Sequence, residues 1–133
     1  MIENLYPSLM ENLLQGNYGD FTSSDYITVA LLDGTGTFDS THSLWTDVSD
    51  SEIADEDYSP VTLTNVTVTE DEGVVLLDSD DINFGTDVTI TASHAVFYAD
   101  GNLIMHLDFE GEQSSENGTF QLEVPNGLIE WSV

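Results

Sequence analysis

The sequence has no lysine, no arginine and no cysteine, against 26 aspartates and glutamates and a formal net charge of -26 at pH 7. A chain without lysine or arginine has almost no positive charge with which to bind phosphate groups. This argues against binding to nucleic acid or to an anionic membrane surface. It offers no arginine clamp and no Schiff-base lysine for catalysis. The missing cysteines exclude disulfides, thiolate chemistry and cysteine zinc sites.

Long apolar runs are missing as well. No window approaches the roughly 18 apolar residues that a membrane-spanning helix needs. The first residues form neither a basic region nor a long apolar stretch, so we expect no signal peptide. The length of 133 residues predicts one domain with a core of its own.

The apolar content nevertheless predicts a folded chain. Leu, Ile, Val and Phe make up 38 of the 133 residues, about 29 % against the roughly 20 % that marks disordered chains. Carboxylates are spread from Glu3 to Glu130 instead of forming the single stripe of a DNA mimic. At about 1 M salt the Debye length falls to about 3 Å, which screens most of their repulsion. We therefore expect a protein that is adapted to molar salt, from a halophilic archaeon or one of its viruses.

The N-terminal segment shows a helical period. Its apolar stripe consists of Ile2, Leu5, Leu9, Met10, Leu13 and Leu14. This spacing predicts a helix over residues 2–15, with Gly16 suited to the stop. Pro7 fits a first turn with Tyr6 or Ser8 near the cap, so a start as late as Pro7 is the alternative. We assign residues 1–16 to this helix. Its stripe either packs on the core or docks on a neighbouring subunit through Leu5, Leu9 and Leu13.

Beyond this segment the apolar period changes from 3.6 to 2, which indicates strands. Predicted strands cover residues 26–32, 61–68 with a break at 64–65, 74–77, 87–99, 103–109, 118–124 and 128–133. Residues 74–77 are expected to be buried. One face of 87–99 is expected to carry Val88, Ile90, Ala92, His94, Val96 and Tyr98. Predicted turns lie at residues 70–73, 100–102 and 125–127. The pattern predicts a mainly β protein, an antiparallel β-sandwich of jelly-roll or immunoglobulin-like type over residues 17–133, with one N-terminal helix.

Residues 33–57 form a long polar segment with scattered apolar anchors, which is typical of a functional loop. A short helical turn is predicted at residues 50–55. Trp45 in this loop is a candidate partner-binding residue. His42 in the same loop is expected to be solvated.

A catalytic site finds little support in the sequence. His106 and Asp108 share a strand face, and His94 lies on the strand expected to pair with theirs. With a serine these would resemble a Ser-His-Asp site. The Gly-x-Ser-x-Gly elbow is absent, so we predict that the chain is not an enzyme.

Two other kinds of site are suggested by short motifs. Asp78, Asp80 and Asp81 have the close spacing of calcium loops, and such oxygens could hold structural Ca²⁺, Mg²⁺ or K⁺. No other cofactor is expected. Asn65 and Asn117 each begin an Asn-x-Thr sequence and are candidate glycosylation sites.

The order of several short motifs resembles a family of small virion-associated structural proteins of tailed phages. These motifs lie at residues 13–16, 25–32, 42–59, 76–82, 95–98, 103–104, 107–113, 117–120 and 126–129. Residues 25–32, Asp-Tyr-Ile-Thr-Val-Ala-Leu-Leu, are similar to the family strand Asp-x-Ile-x-Val-Ala-Leu. Asp57 and Ser59-Pro60 depart from a glycine-rich stretch of the family. The resemblance implies a virion component and transfers no catalytic residue.

We therefore expect a virion structural protein of a haloarchaeal tailed virus, a capsid decoration or turret protein. It would bind the major capsid protein or another virion protein as a trimer or pentamer. One alternative is a tail or neck component of the same virion. Another is a soluble carbohydrate- or ion-binding β-sandwich, for which Trp45, Tyr58 and Trp131 would be the available rings.

Overall fold

Alternating apolar residues and two-residue turns give this chain a mainly β structure, with about 46 % strand and 11 % helix. The computed structural model describes residues 1–123 and 127–132. The elements in chain order are β1 (Ile2–Leu5), α1 (Pro7–Leu14), β2 (Thr28–Leu32), two 3₁₀ turns (Trp45–Asp47 and Ser49–Ser51), β3 (Val61–Thr62), β4 (Thr67–Asp71), β5 (Val74–Asp78), β6 (Ile82–Asn83), β7 (Val88–Ala99), β8 (Asn102–Gly118), β9 (Gln121–Leu122) and β10 (Ile129–Ser132). The prediction of antiparallel sheets with one helix is confirmed.

The strands form three antiparallel sheets. The largest has the order β1-β8-β7-β2-β3, the second has the order β10-β5-β4, and β6 pairs with β9. One apolar cluster, the main core, takes side chains from both larger sheets. Its buried members include Val29, Leu31, Phe97, Met105, Leu77 and Ile129. A second apolar cluster lies on the opposite face of the five-stranded sheet and includes Tyr6, Ala30, Leu32, Val48, Val96 and Leu103.

The prediction of a helix from residue 2 is wrong, and the alternative start at Pro7 is confirmed. Residues 2–5 form β1, which pairs antiparallel with β8. The physical reason is Pro7, which fits only the first turn of a helix and biases Tyr6 before it towards extended backbone. Tyr6 is the N-cap residue and has extended backbone, and α1 begins at Pro7. Gly16 ends the helix with a positive φ of 72°, as predicted.

The prediction of one continuous face along residues 87–99 is also wrong. Ile90 and Ala92 lie in the main core, whereas Val96 and Tyr98 lie in the second cluster. The pairing register shifts between Ala92 and His94. The partner strand β8 bulges at this level, where Glu110 and Gly111 have positive φ values of 60° and 145°. Because side chains alternate with a period of 2, an irregularity within β7 itself is needed to move its later residues to the other face, and it lies at Ser93, between the rungs of Ala92 and His94.

Residues 74–77 are less buried than predicted. In β5 only Leu77 is buried, and Val74 and Leu76 are half-buried. The three-stranded sheet covers the core with one face and turns the other to solvent, so a continuous apolar run does not make the strand fully buried.

The turns follow the sequence closely. The β4–β5 hairpin closes through Glu72 and Gly73, with φ values of 49° and 84°, and the β7–β8 hairpin closes through Asp100 and Gly101. These positive φ values fit type I′ turns. The predicted break at residues 64–65 coincides with a positive φ of 52° at Asn65.

The remaining boundaries differ from the predictions. The helical turn predicted at residues 50–55 is replaced by the two 3₁₀ turns. β8 is far longer than the predicted 103–109, and β9 covers only part of 118–124. Val124, Val133 and most of the turn predicted at residues 125–127 lie outside the described residues.

Candidate functional site

Two histidines predicted to lie near each other do meet on the face of the five-stranded sheet that carries the second apolar cluster. His94 pairs with Asp108, and Val96 pairs with His106 two rungs further along, on the same face of the sheet. The two imidazole rings have centroids 5.0 Å apart. His94 is 6 % exposed and His106 is 1 % exposed. The structure thus buries two of the three histidines side by side.

One hydrogen bond ties this pair to the long loop. The Nε2 atom of His106 lies 2.8 Å from the carbonyl oxygen of Gly36. A carbonyl only accepts, so Nε2 carries the proton in this bond. The Nδ1 atoms of His94 and His106 and the hydroxyl of Tyr6 are buried without a hydrogen-bond partner in the described part of the chain. Burial lowers the pKa of His106, the carbonyl of Gly36 opposes this shift, and neighbouring His94 adds to it.

The arrangement does not assemble a catalytic triad. His94 Nδ1 lies 3.7 Å from Asp108 Oδ1, and that carboxylate is partly exposed. Asp108 Oδ1 also accepts a hydrogen bond from the backbone of Glu110 at 2.8 Å. Within residues 1–123 and 127–132, neither ring forms a hydrogen bond to a serine hydroxyl. The geometry supports a buried polar contact between sheet and loop.

The predicted ion site is dispersed. Asp80 Oδ2 accepts hydrogen bonds from Thr64 and Asn65, at 3.0 and 2.6 Å. Asp78 Oδ1 accepts one from the backbone of Ser79 at 2.8 Å. Among the described residues, including Asp81, no group of three or more histidine or acidic side chains is placed to hold a metal ion. Specific ion binding at these aspartates stays a prediction.

The two candidate glycosylation sites are both accessible. Asn65 and Asn117 are exposed, and each has a positive φ, Asn65 in a bend and Asn117 next to the end of β8. The side-chain amide of Asn65 donates to Asp80, so a glycan there would replace one of the two amide hydrogens beside that carboxylate. Their modification stays a prediction.

The candidate partner-binding residues are divided between core and surface. Leu9 is 1 % exposed, and Leu5 and Leu13 are partly buried against the main core. Trp45 stacks on Tyr98 with ring centroids 4.5 Å apart and an interplanar angle of 12°. His42, expected to be solvated, is half-buried and lies 3.7 Å from Asp39. Only Met10 and Leu14 present large apolar surface on α1.

The exposed strand β4 was not predicted as a separate element. β4 lies at the edge of the three-stranded sheet and has β5 as its one strand neighbour in the described residues. All five of its residues are exposed, and Val68 keeps 48 % of its surface. An edge strand of this kind presents unpaired backbone N–H and C=O groups that can pair with another chain.

An apolar groove runs beside this edge, and we name it the inner groove. It has a volume of about 400 Å³ and lies between α1 and the core-facing side of the three-stranded sheet. Its apolar lining includes Leu9, Leu13, Phe21, Val68, Val75 and Ile129. Asp20 stands in its wall, and hydrogen bonds from Thr22 lower the pKa of that carboxyl, which keeps it charged.

The other face of the same sheet carries a second depression, the outer groove. It has a volume of about 830 Å³ and an apolar floor of Val74 and Leu76. Asp71, Asp78 and Glu130 stand around that floor. Carboxylates around an apolar floor suit the aliphatic stem and charged head of a lysine or arginine.

The sequence contained a signal for this edge that the strand prediction did not use. Thr67–Asp71 has one apolar residue between polar neighbours, which is typical of a strand that neither face buries. Tyr6 was likewise overlooked as a core residue because it was taken only as a cap.

Comparison with known proteins gives no relative for this arrangement. No helix in the described residues is long and apolar enough to cross a membrane. No protein-family model, no curated protein and no solved structure matches this chain.

Proposed function

We propose that this chain is a structural protein of a virus particle, a decoration or turret protein on the capsid of a tailed virus of a halophilic archaeon. The observation that carries the proposal is the fully exposed edge strand β4, flanked by two grooves. Exposed edges of this kind are liabilities that soluble monomers usually cover or blunt, so an open one fits an assembly protein. The motif order that resembles virion proteins of tailed phages supports the same assignment.

We infer that the two larger sheets pack face to face as a β-sandwich. Side chains of both enter the main core, among them Phe97 from β7 and Leu77 from β5. A rigid sandwich with its loops and edges outside suits a protein that acts by surface contact.

Self-association of this chain must avoid charge pairing, because it has no lysine or arginine to meet its own carboxylates. Apolar contact and backbone hydrogen bonds are the available forces. Leu14 and Met10, exposed by 81 % and 46 % on α1, supply apolar surface for a trimer or pentamer. Such an oligomer suits a capsid symmetry axis.

The carbohydrate-binding alternative is less well supported. One face of Trp45 is occupied by Tyr98. The hydroxyl of Tyr58 donates to Glu52 at 2.6 Å and accepts from the backbone of Leu31 at 3.1 Å, so this ring is tied to the fold. Trp131, the third ring considered, has a side chain outside the described structure.

The proposal is tested by rebinding the chain to particles that lack it. Particles are stripped of surface proteins, incubated with purified chain in molar salt, and separated by density gradient. We expect saturable co-migration with the capsid, and native mass spectrometry of the free chain should show a trimer or pentamer. A chain that stays at the top of the gradient with intact stripped capsids would contradict capsid attachment. Binding to isolated tails alone would assign it to the tail.

A further inference from the structure

We infer that the β4 edge is a docking site for an extended segment of another protein, in which apolar residues alternate with lysine or arginine. This inference deepens the proposed function, on which it rests for taking the partner to be another virion protein. Three observations carry it, namely the open edge, the apolar inner groove and the acidic outer groove on the two sides of one strand.

The open edge fixes the conformation of the partner. A strand that pairs with β4 continues the sheet β10-β5-β4 by one strand, through backbone hydrogen bonds that require no particular side chains. All five residues of β4 are exposed, so nothing in the described chain competes for this position.

The two grooves determine the order of apolar and charged side chains that the partner segment needs. Successive side chains of an added strand point to opposite faces of the sheet. On the core-facing side they meet the inner groove beside Val68, which Leu77 and Ile129 continue across the sheet. Glu70 shares this side on the rung of Val75, where its carboxylate accepts a hydrogen bond from the backbone of Gly73. Beside Val68 this side favours apolar residues.

On the solvent-facing side the added side chains meet Thr67, Thr69 and Asp71 of β4. Behind these stand Asp78 on the rung of Thr67 and Glu130 on the rung of Leu76. This side favours long cationic side chains, whose stems cover Val74 and Leu76. The pattern that fits both sides is therefore alternation of apolar and basic residues.

Charge complementarity distinguishes a foreign partner from a second copy. A second copy brings no lysine or arginine, and its own β4 would add Glu70 and Asp71 to an edge that is already acidic. The outer groove would then hold uncompensated carboxylates. A basic partner neutralises them.

The test uses the full chain and a synthetic peptide that alternates valine and lysine, at about 1 M KCl where the acidic surface is screened. One control peptide has the same composition with valines and lysines in separate blocks. A second has alternate backbone amides methylated, which blocks strand addition. A third has glutamate in place of lysine. We expect each control to bind at least about tenfold more weakly by fluorescence anisotropy.

The matched protein variants are Val68→Lys at the edge and Leu44→Lys at a remote position of nearly equal exposure, 48 % and 46 %. Val68→Lys should weaken peptide binding at least about tenfold, and Leu44→Lys should leave it unchanged. Equal loss in both variants, equal binding of the methylated peptide, or no binding of the alternating peptide would overturn the inference. So would an oligomer of the free chain that Val68→Lys dissociates, because the edge would then belong to a second copy.

Failure of this inference and failure of the proposed function are separable. A chain that is present in particles but does not bind the peptide retains its structural role and loses this docking site. A chain that binds the peptide with the stated controls but is absent from particles retains the docking site and loses the virion role.

Discussion

His106 is buried in a place where the fold opposes the charged imidazole. Its ring is packed between the tilted ring of Phe38 and that of His94, with ring centroids 5.8 and 5.0 Å away. The titratable groups that act on it are His94 and Asp108, and of these only Asp108 favours the charged imidazole. Protonation would add a donor at Nδ1, where no acceptor is in place among the described residues.

This burial predicts a loss of stability at mildly acid pH. The pKa of His106 is lower in the folded chain than its ordinary value of 6.5, so the unfolded state binds more protons below that pH. Stability from this group is therefore fully present above pH 6.5 and falls as pH drops towards the folded-state pKa. Hydrogen bonds lower the pKa of Asp39 and Asp47, so those groups titrate in a more acid range.

The prediction is checked by denaturant unfolding across this range at constant molar salt. His106→Gln should flatten the dependence of the unfolding free energy on pH. His42→Gln, which changes a more exposed histidine, should leave it in place. An unchanged slope in His106→Gln would contradict the assignment.

Tyr58 provides a second prediction at this scale. Its hydroxyl donates to Glu52 and accepts from the amide of Leu31, which connects the end of the long loop to β2. Tyr58→Phe leaves both groups without this partner, so we expect a loss of about 1–3 kcal/mol of unfolding free energy. Tyr98→Phe serves as control, since its ring stacking on Trp45 is retained and a smaller loss is expected. Equal losses in thermal or denaturant unfolding would contradict this role of Tyr58.

Among the elements, turns were predictable and bulges were not. Asp100-Gly101-Asn102 indicates its turn because Gly, Asn and Asp adopt positive φ more readily than other residues, and Gly73 indicates the β4–β5 turn in the same way. The bulge opposite Ser93 leaves no comparable trace, since the apolar alternation simply continues on the other face. For the same reason, the sequence placed His94, His106 and Asp108 together but did not indicate which face would be covered by the loop.

The burial of individual strands depends on what covers them, and local sequence carries little of that information. Val74–Asp78 is as apolar as a central buried strand, yet only Leu77 is fully buried. The predicted strand over residues 61–68, with its break at 64–65, reached only the first two residues of β4, and the predicted turn at residues 70–73 took its last two. The exposure of β4 follows from its place at the sheet edge, which local sequence does not show. The two grooves and the open edge therefore could not be predicted without knowing how the strands pair.

The β7–β8 turn gives a test at the element scale. Gly101 has a φ of 77°, and a Cβ there would meet nothing within 4 Å, so only the backbone conformation penalises a side chain. Gly101→Ala should lower the unfolding free energy by about 1–2 kcal/mol. Gly34→Ala is the control, because that glycine does not need positive φ and has only Ser93 Oγ at 3.9 Å. Similar effects of both substitutions would contradict the turn assignment.

At the scale of the whole molecule, the net charge of -26, with no lysine or arginine, determines how the stability of the fold depends on salt. Most carboxylates are exposed and repel each other, and the repulsion is relieved only when the Debye length falls to a few ångströms. We predict loss of the strand signal in circular dichroism on dialysis into dilute buffer, and recovery in molar KCl or NaCl alike. Equal effects of the two salts would indicate screening. A fold unchanged in dilute buffer without divalent cations would contradict the salt adaptation.

The virion role is tested most directly by the copy number of this chain in purified particles, measured by quantitative mass spectrometry against the major capsid protein. The account predicts a stoichiometric component, in hundreds of copies for a decoration layer or a few tens for vertex turrets. A few tens of copies on isolated tails would place it in the tail or neck instead. Absence of the chain from particles that retain their other surface proteins would contradict the account.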